Sequence, residues 1–385
     1  MMPAWFRYLC HCHVLGRTQL GKSRFLEYCI RQIIKHSKAG LTLIDPHGSL
    51  YRAIVEYLAY LQPERRIILL NLSRPDFIDP FNPFELPPGR DVSAHVSRIA
   101  SVLLKVWGAE NTNELPTYER IVKMLLTFCA VTGEPLHHGA RLLEYPKKEL
   151  REYAIEKIPD TRIKEQWKRL QYVSLLKHGA GFREWLHEVQ STENRLGRFI
   201  GSKNIARFTG LPNQVSVNQV IEDNAILLVN LQPSPSLSEE SGKVFASLLV
   251  SEFLNAAIEH ADTERPHFLI IDEAHTVITS DVTNILDQVA KAGLRLTLAH
   301  HHPGQIDDEH LRDSLDTNAP LKVIFGGLPY EWAVHYVHEL MLSELNERWW
   351  KEDRYRYFTD YVRKNSTRSM KSVTSKNLPI LKRAF

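Results

Sequence analysis

The chain has 385 residues, 43% hydrophobic and 24% charged, with a net charge of +3. These are the values of an ordinary soluble globular protein, long enough for two or three domains or one domain with a large insertion, and the charge is too small by itself to establish a polyanionic partner. Four cysteines, at 10, 12, 29 and 129, make no disulfide framework, no signal peptide is visible, and no apolar run approaches the ~18 residues that span a bilayer. A reducing, cytoplasmic setting is therefore expected, with any membrane contact made through partners.

Tyr8 to Leu15 reads as a strand and Phe25 to Ile34 carries apolar residues at helical spacing. Between them Gly16-Arg17-Thr18-Gln19-Leu20-Gly21-Lys22-Ser23 fits the phosphate-binding pattern G-x-x-x-x-G-K-[ST] at every specified position. Glycines let successive N–H groups turn toward phosphates, and the helix N-terminus adds its dipole. In that reading Lys22 reaches the β- and γ-phosphates and Ser23 holds Mg²⁺. Gln19, where such loops often have a second glycine, leaves the pattern intact and is expected to stiffen the loop. Cys10, His11, Cys12 and His13 invite a metal reading, but alternate side chains of a strand point to opposite faces and no second ligand pair follows at finger-like spacing.

Gly40 to Asp45 is a second strand, Ser49 to Leu61 a helix and Arg66 to Asn71 a third strand, the alternation of a parallel α/β sheet. The proline-rich stretch from Leu72 to Pro88 marks a boundary. From about Asp91 to Asn224 the strand signal nearly vanishes. Helices are expected at Val92 to Trp107, Pro116 to Val131, Lys147 to Ile158, Thr161 to Leu176 and Gly181 to Arg198, with Trp167, Trp185 and Phe199 as core or interface anchors.

The α/β pattern resumes with the strand Ala225 to Leu231, a helix from Ser236 to His260, and His267 to Ile271 leading into Asp272-Glu273-Ala274-His275. A helix near Val282 to Lys291, a strand Leu294 to Ala299, the triplet His300-His301-His302, a strand Leu321 to Phe325 and a helix Glu331 to Trp350 complete the reading. From Lys351 to Phe385 ten Lys or Arg stand against three acids. With the aromatics around Trp349 and Tyr361, this tail is either a nucleic-acid contact or a solvated extension. The expected organisation is thus 1–90, first part of an ATPase domain; 91–224, helical insertion; 225–350, second part; 351–385, basic tail.

An apolar strand delivering two acids is the natural partner of a phosphate loop. Asp272 would anchor Mg²⁺ through its water shell, and Glu273 would orient or deprotonate the attacking water.

The order of phosphate loop, Leu43-Ile44-Asp45-Pro46-His47-Gly48, Asn82-Pro83, helical insertion, Leu227 to Leu231, Ile270 to His275 and Ala292 to His300 resembles the HerA/FtsK superfamily. Within it the chain is most similar to the coupling proteins of type IV secretion, the VirD4/TraD/TraG group, and their soluble relatives. The resemblance implies a RecA-like P-loop ATPase using ATP and Mg²⁺. It also implies a homo-oligomeric ring, usually a hexamer, that moves DNA without sequence specificity and meets relaxase or secretion partners through its helical domain. Two positions depart from the pattern. Ala290-Lys291 stand where Arg-Lys is common, so a trans charge would come from Lys291 or Arg295. His301 fills the γ-phosphate-sensing slot often held by Gln, with Gln305 as a substitute, while His300 and His302 lie either near the phosphate or on an exposed turn. Ala290 and His301 also admit a regulatory subunit that binds nucleotide without efficient turnover. A viral or plasmid packaging motor would share the same chemistry.

Overall fold

Continuous apolar runs such as Ile226-Leu227-Leu228-Val229 suit strands covered on both faces, and the computed structural model bears this out. It describes residues 11–74, 80–107, 115–145, 147–175, 180–211, 215–259, 266–278, 293–306 and 308–342. The strands are β1 (Cys12–Leu15), β2 (Gly40–Asp45), β3 (Ile67–Asn71), β4 (Ile226–Asn230), β5 (His267–Ile271), β6 (Leu294–His300) and β7 (Leu321–Ile324). They form one sheet in the order β3-β4-β2-β5-β6-β1-β7, and every pairing is parallel.

The side-chain period of two divides the sheet between two cores. Ile226 and Leu228 face one core with helices α1 (Lys22–His36) and α2 (Ser49–Leu61), which contribute Leu26, Ile30, Ile33, Ile54 and Leu58. Leu227 and Val229 face the other core, shared with the long helix Glu239–Glu259 and with helices Val92–Val106, Leu115–Thr132, Thr161–Leu175 and Ala180–Ile200. The helical block 91–224 therefore shares its hydrophobic core with the sheet. Trp167, Trp185 and Phe199 are buried in it as packing anchors. Arg90 pairs with Glu252 at 2.6 Å and Glu259 at 2.8 Å, and Arg98 with Glu252 at 2.5 Å, tying the start of the block to the long helix.

One expectation needs correction. Glu239–Glu259 is long and apolar enough to cross a membrane, although Lys243 and Glu252 interrupt its apolar run. Its most apolar window is 78% buried inside the protein, as fits a core helix that is apolar all round.

Because β6 lies between β1 and β5, the carboxyl ends of β1, β6, β5 and β2 emerge side by side. The segments leaving them, Gly16 to Gly21, His301, Asp272-Glu273 and Pro46-His47, share one edge of the sheet, where open α/β sheets place their ligands.

Candidate nucleotide site

The phosphate loop is held from below by backbone. Gly16 N–H donates to the His301 carbonyl at 3.1 Å and Arg17 N–H to the Gly326 carbonyl at 3.2 Å. Gly16 takes φ +146°, and a Cβ there would stand 2.5 Å from the Phe325 Cβ and 2.7 Å from its carbonyl oxygen. Only glycine fits. Gly21 caps α1 at φ +109° and has no side chain to cap the first-turn N–H groups, which have no intrahelical acceptors. Those amides and the helix dipole are the cradle an anion requires. Gln19 adopts φ +67°, the left-handed conformation a glycine would take more easily.

Lys22 is 5% exposed. Its Nζ donates to the Gly16 carbonyl at 2.6 Å and to His301 Nδ1 at 2.6 Å. An ammonium has no lone pair, so Nδ1 is the acceptor and a neutral His301 ring carries its proton on Nε2. That nitrogen faces Glu273 Oε1 at 3.4 Å. Burial pushes the Lys22 ammonium below its ordinary pKa, with Glu273 and Asp272 acting against the shift.

Asp272 and Glu273 leave β5 at the same edge, both buried. Burial, followed by the charges of Asp45 and Glu273, raises the Asp272 carboxyl to about 6. Asp45 is fixed by accepting N–H bonds from His47 and Tyr51, each at 2.8 Å. Glu273 sits at φ +47°, and its buried Oε2 has no hydrogen-bond partner among the described residues; His275 Nδ1 is 3.6 Å away. Asp272 and Glu273 act on one desolvated lysine and Asp45 adds its charge at Asp272, an excess of negative charge that a divalent cation would offset. The unpartnered oxygen, the raised Asp272 and the uncapped helix together fit Mg²⁺ and a phosphate chain, with Ser23 on the first turn of α1 and Asp272 as the residues that would hold the metal. Beside Glu273 opens a cavity of about 390 Å³ bordered by Pro46, His47, Lys243, His275 and His301.

The structure thus brings Lys22, Asp272, Glu273 and His301 together with the loop Gly16 to Ser23. It does not bring Arg295 there: that residue is second in β6, paired in register with Phe268, about 16 Å along the strand from His300 at ~3.3 Å per residue. Ala290 and Lys291 lie outside the described residues, as does the tail 351–385. Gln305 is committed elsewhere. Its Oε1 accepts from the N–H groups of His301 and His302, and its amide donates to His275 Nε2 at 3.2 Å. His300 is 1% exposed, so the exposed-turn reading fails for it: as the last residue of β6 its ring turns into the protein against His13. No metal cluster occurs among the described residues, and Cys10 lies outside them.

No family model matches the sequence, and no curated protein matches it. Solved structures do. The bacterial conjugative coupling protein TrwB, in a trigonal form with sulphate, aligns with a TM-score of 0.56 at 16% identity, over 82% of this chain and 70% of that one. The plasmid coupling protein TrwB with ADP and Mg²⁺ gives 0.54 at 16% identity, over 80% and 68%. VirB4 of Thermoanaerobacter pseudethanolicus gives 0.54 at 11% identity, over 88% and 82%. The chain has the fold of TrwB and VirB4. The fold likeness expected from the motifs is therefore borne out, and the RecA-like parallel sheet with it. In this TrwB-like fold the chemistry rests on the chain's own residues.

Proposed function

We propose that this chain is a motor ATPase that binds ATP with Mg²⁺ and uses its hydrolysis to move DNA through a homo-oligomeric ring. The convergence of Lys22, Asp272, Glu273 and His301 on one phosphate loop carries the reading, and the solved TrwB complexes with ADP and Mg²⁺ and with an ATP analogue support the choice of ligand. The bound metal would neutralise charge on the phosphates and orient them. Glu273 takes a proton from the attacking water, its Oε2 being free to accept it. Lys22 holds the terminal phosphate. His301, touching Lys22 on one nitrogen and facing Glu273 with the other, reports phosphate occupancy to the base.

Lys291 and Arg295 are the candidates for completing a neighbour's site. The block 91–224 is the surface for relaxase or secretion partners, and the basic tail is a phosphate contact without base readout. The test is phosphate release with and without duplex and single-stranded DNA, alongside the assembly mass. DNA-stimulated turnover by a ring supports the proposal; turnover indifferent to DNA, or absent from a correctly folded ring, overturns it. One observation favours a second reading, binding without turnover: Lys22 is already engaged by His301. Tight ATP binding with no hydrolysis in either DNA condition would select it.

A further inference from the structure

Behind the sensor strand lies a buried polar cluster that the hydrolytic scheme does not use. His13, three residues before Gly16 on β1, is 2% exposed and stacks on His300 with ring centroids 4.7 Å apart and planes 22° from parallel. Their Nε2 atoms are in hydrogen-bond contact. His13 Nδ1 faces Asp316 Oδ1 at 3.6 Å, from the helix Glu309–Asn318. Tyr336 OH donates to Asp316 Oδ1 at 2.8 Å, His335 Nε2 stands 3.3 Å from Oδ2, and Lys322 Nζ donates to the Asp316 carbonyl at 2.7 Å. On its other side His300 stacks on His275, centroids 6.4 Å apart, and His275 Nδ1 faces Glu273 Oε2.

We propose that Asp316 and His13 are positioning residues for the phosphate site: they fix the tautomer and orientation of the His300 ring, and through it the turn that presents His301. The proposal rests on the ATPase reading above.

Two neutral imidazoles sharing an Nε2–Nε2 hydrogen bond need one donor and one acceptor. A carboxylate at His13 Nδ1 draws the ring proton to that nitrogen, leaving Nε2 of His13 to accept from Nε2–H of His300. This is how a carboxylate behind an imidazole selects a tautomer in hydrolase triads, where the amide substitution leaves the geometry but selects the wrong one. Burial alone would raise Asp316, but the neighbouring His13 ring, the bond from Tyr336 and the charge of Lys322 hold it below the ordinary value, so it stays ionised. Burial above all, then the neighbouring imidazoles and the Lys22 ammonium, drives His300 well below its ordinary value, so it stays neutral. Apolar side chains would bridge β1 and β6 without these desolvation costs; the polar trio supplies direction instead. His300 precedes His301 in the chain, and the His301 carbonyl accepts the Gly16 N–H, so the set of this ring bears on both halves of the site.

The test compares the full chain with Asp316→Asn, Asp316→Glu and Tyr336→Phe. Four quantities are read: kcat and KM for MgATP, the Tm, and the ¹⁵N shifts of the His13 and His300 rings. In the parent the rings should show Nδ1–H on His13 and Nε2–H on His300. Asp316→Asn should lose that pattern and at least tenfold in kcat, with KM within threefold. Asp316→Glu should keep the pattern and most of the turnover. Tyr336→Phe, which removes one bond but leaves the charge, should stay within threefold of the parent at a similar cost in Tm. Parental kcat in Asp316→Asn, or equal losses in both variants that follow Tm alone, would overturn the proposal. If Asp316→Asn does not fold, loss of the tautomer pattern in Asp316→Glu overturns it. If the parent hydrolyses nothing, the ATPase reading falls, while unchanged ring shifts in Asp316→Asn would sink the relay independently.

Discussion

The Lys22 ammonium and the His301 ring meet at 2.6 Å between Nζ and Nδ1, across 279 residues of chain. They meet because β6 runs beside β1 and ends level with it, Leu15 paired in register with His300. A phosphate oxygen competes for the same ammonium, and a charge-assisted bond to an anion outweighs one to a neutral imidazole. On the proposed reading, nucleotide entry would free Nδ1 of a ring whose Nε2 already faces Glu273.

Replacing that ring separates its two contacts. His301→Ala should lower turnover about 10–100-fold, the range of one or two charge-assisted hydrogen bonds, and leave ATP affinity within about threefold. His301→Gln, whose amide both accepts and donates, should recover most of the loss. Steady-state kinetics beside calorimetric binding checks both variants; equal losses for Gln and Ala would remove the sensing role.

Lys22→Ala should reduce hydrolysis about 10²–10³-fold through loss of a preorganised charge at the phosphate. The fold should persist, with Tm within about 4 °C of the parent. Phosphate release and a thermal scan on the same preparation decide it, and parental turnover in the variant would exclude Lys22 from the chemistry.

Asp272 makes stability depend on pH. Its carboxyl is raised to about 6 in the folded protein, chiefly by burial, and returns to ~3.9 when unfolded. Between these values the folded state holds the additional proton, so stability falls as pH rises from about 4 to about 6 and stays lower above. Asp272→Asn should therefore raise stability at pH 7.5 by on the order of 2 kcal/mol, and by much less at pH 4.5, while abolishing hydrolysis. If Mg²⁺ binds at Asp272 as proposed, it would replace the proton, so its stabilising effect on the parent should grow from pH 5.5 to 7.5. Calorimetric scans across this range test both statements.

Gly16→Ala should destabilise the protein by roughly 2–3 kcal/mol, since the methyl group collides with Phe325 in a strained conformation. Gly197→Ala is the counterpart. It lies within the helix Ala180–Ile200, its added methyl meets nothing within 4 Å, and it should stabilise by about 0.5–1 kcal/mol. Denaturant midpoints for the two variants should move in opposite directions.

Much of the architecture was legible because long elements advertise their period. Gly40–Asp45 and Ser49–Leu61 have the bounds expected from the sequence. Helices Leu136–Ala140, Lys203–Phe208 and Val217–Glu222 were not anticipated, being too short to display a repeat. Glu309–Asn318 was missed because only Leu311 and Leu315 are buried; its one signal was the Asp308 cap, which accepts the Leu311 N–H. At the site, the phosphate loop and Asp272-Glu273 were readable because their chemistry is local. The engagement of Gln305 with the His301 and His302 amides and His275, and of Asp316 with His13, was not readable. Both depend on which strands become neighbours, which no local spacing records.

The sheet order also sets a timetable for biosynthesis. Among the described residues β1 is the first strand, yet its partners there are β6 and β7, at residues 294–300 and 321–324. At ~5–20 residues per second, the ribosome needs about 15–60 s to deliver those partners. Throughout that interval the phosphate-loop strand is an unpaired apolar segment and a natural client for chaperones. A chain cut short before residue 294 would lack both of its partners, so the nucleotide site is among the last parts of the protein to form.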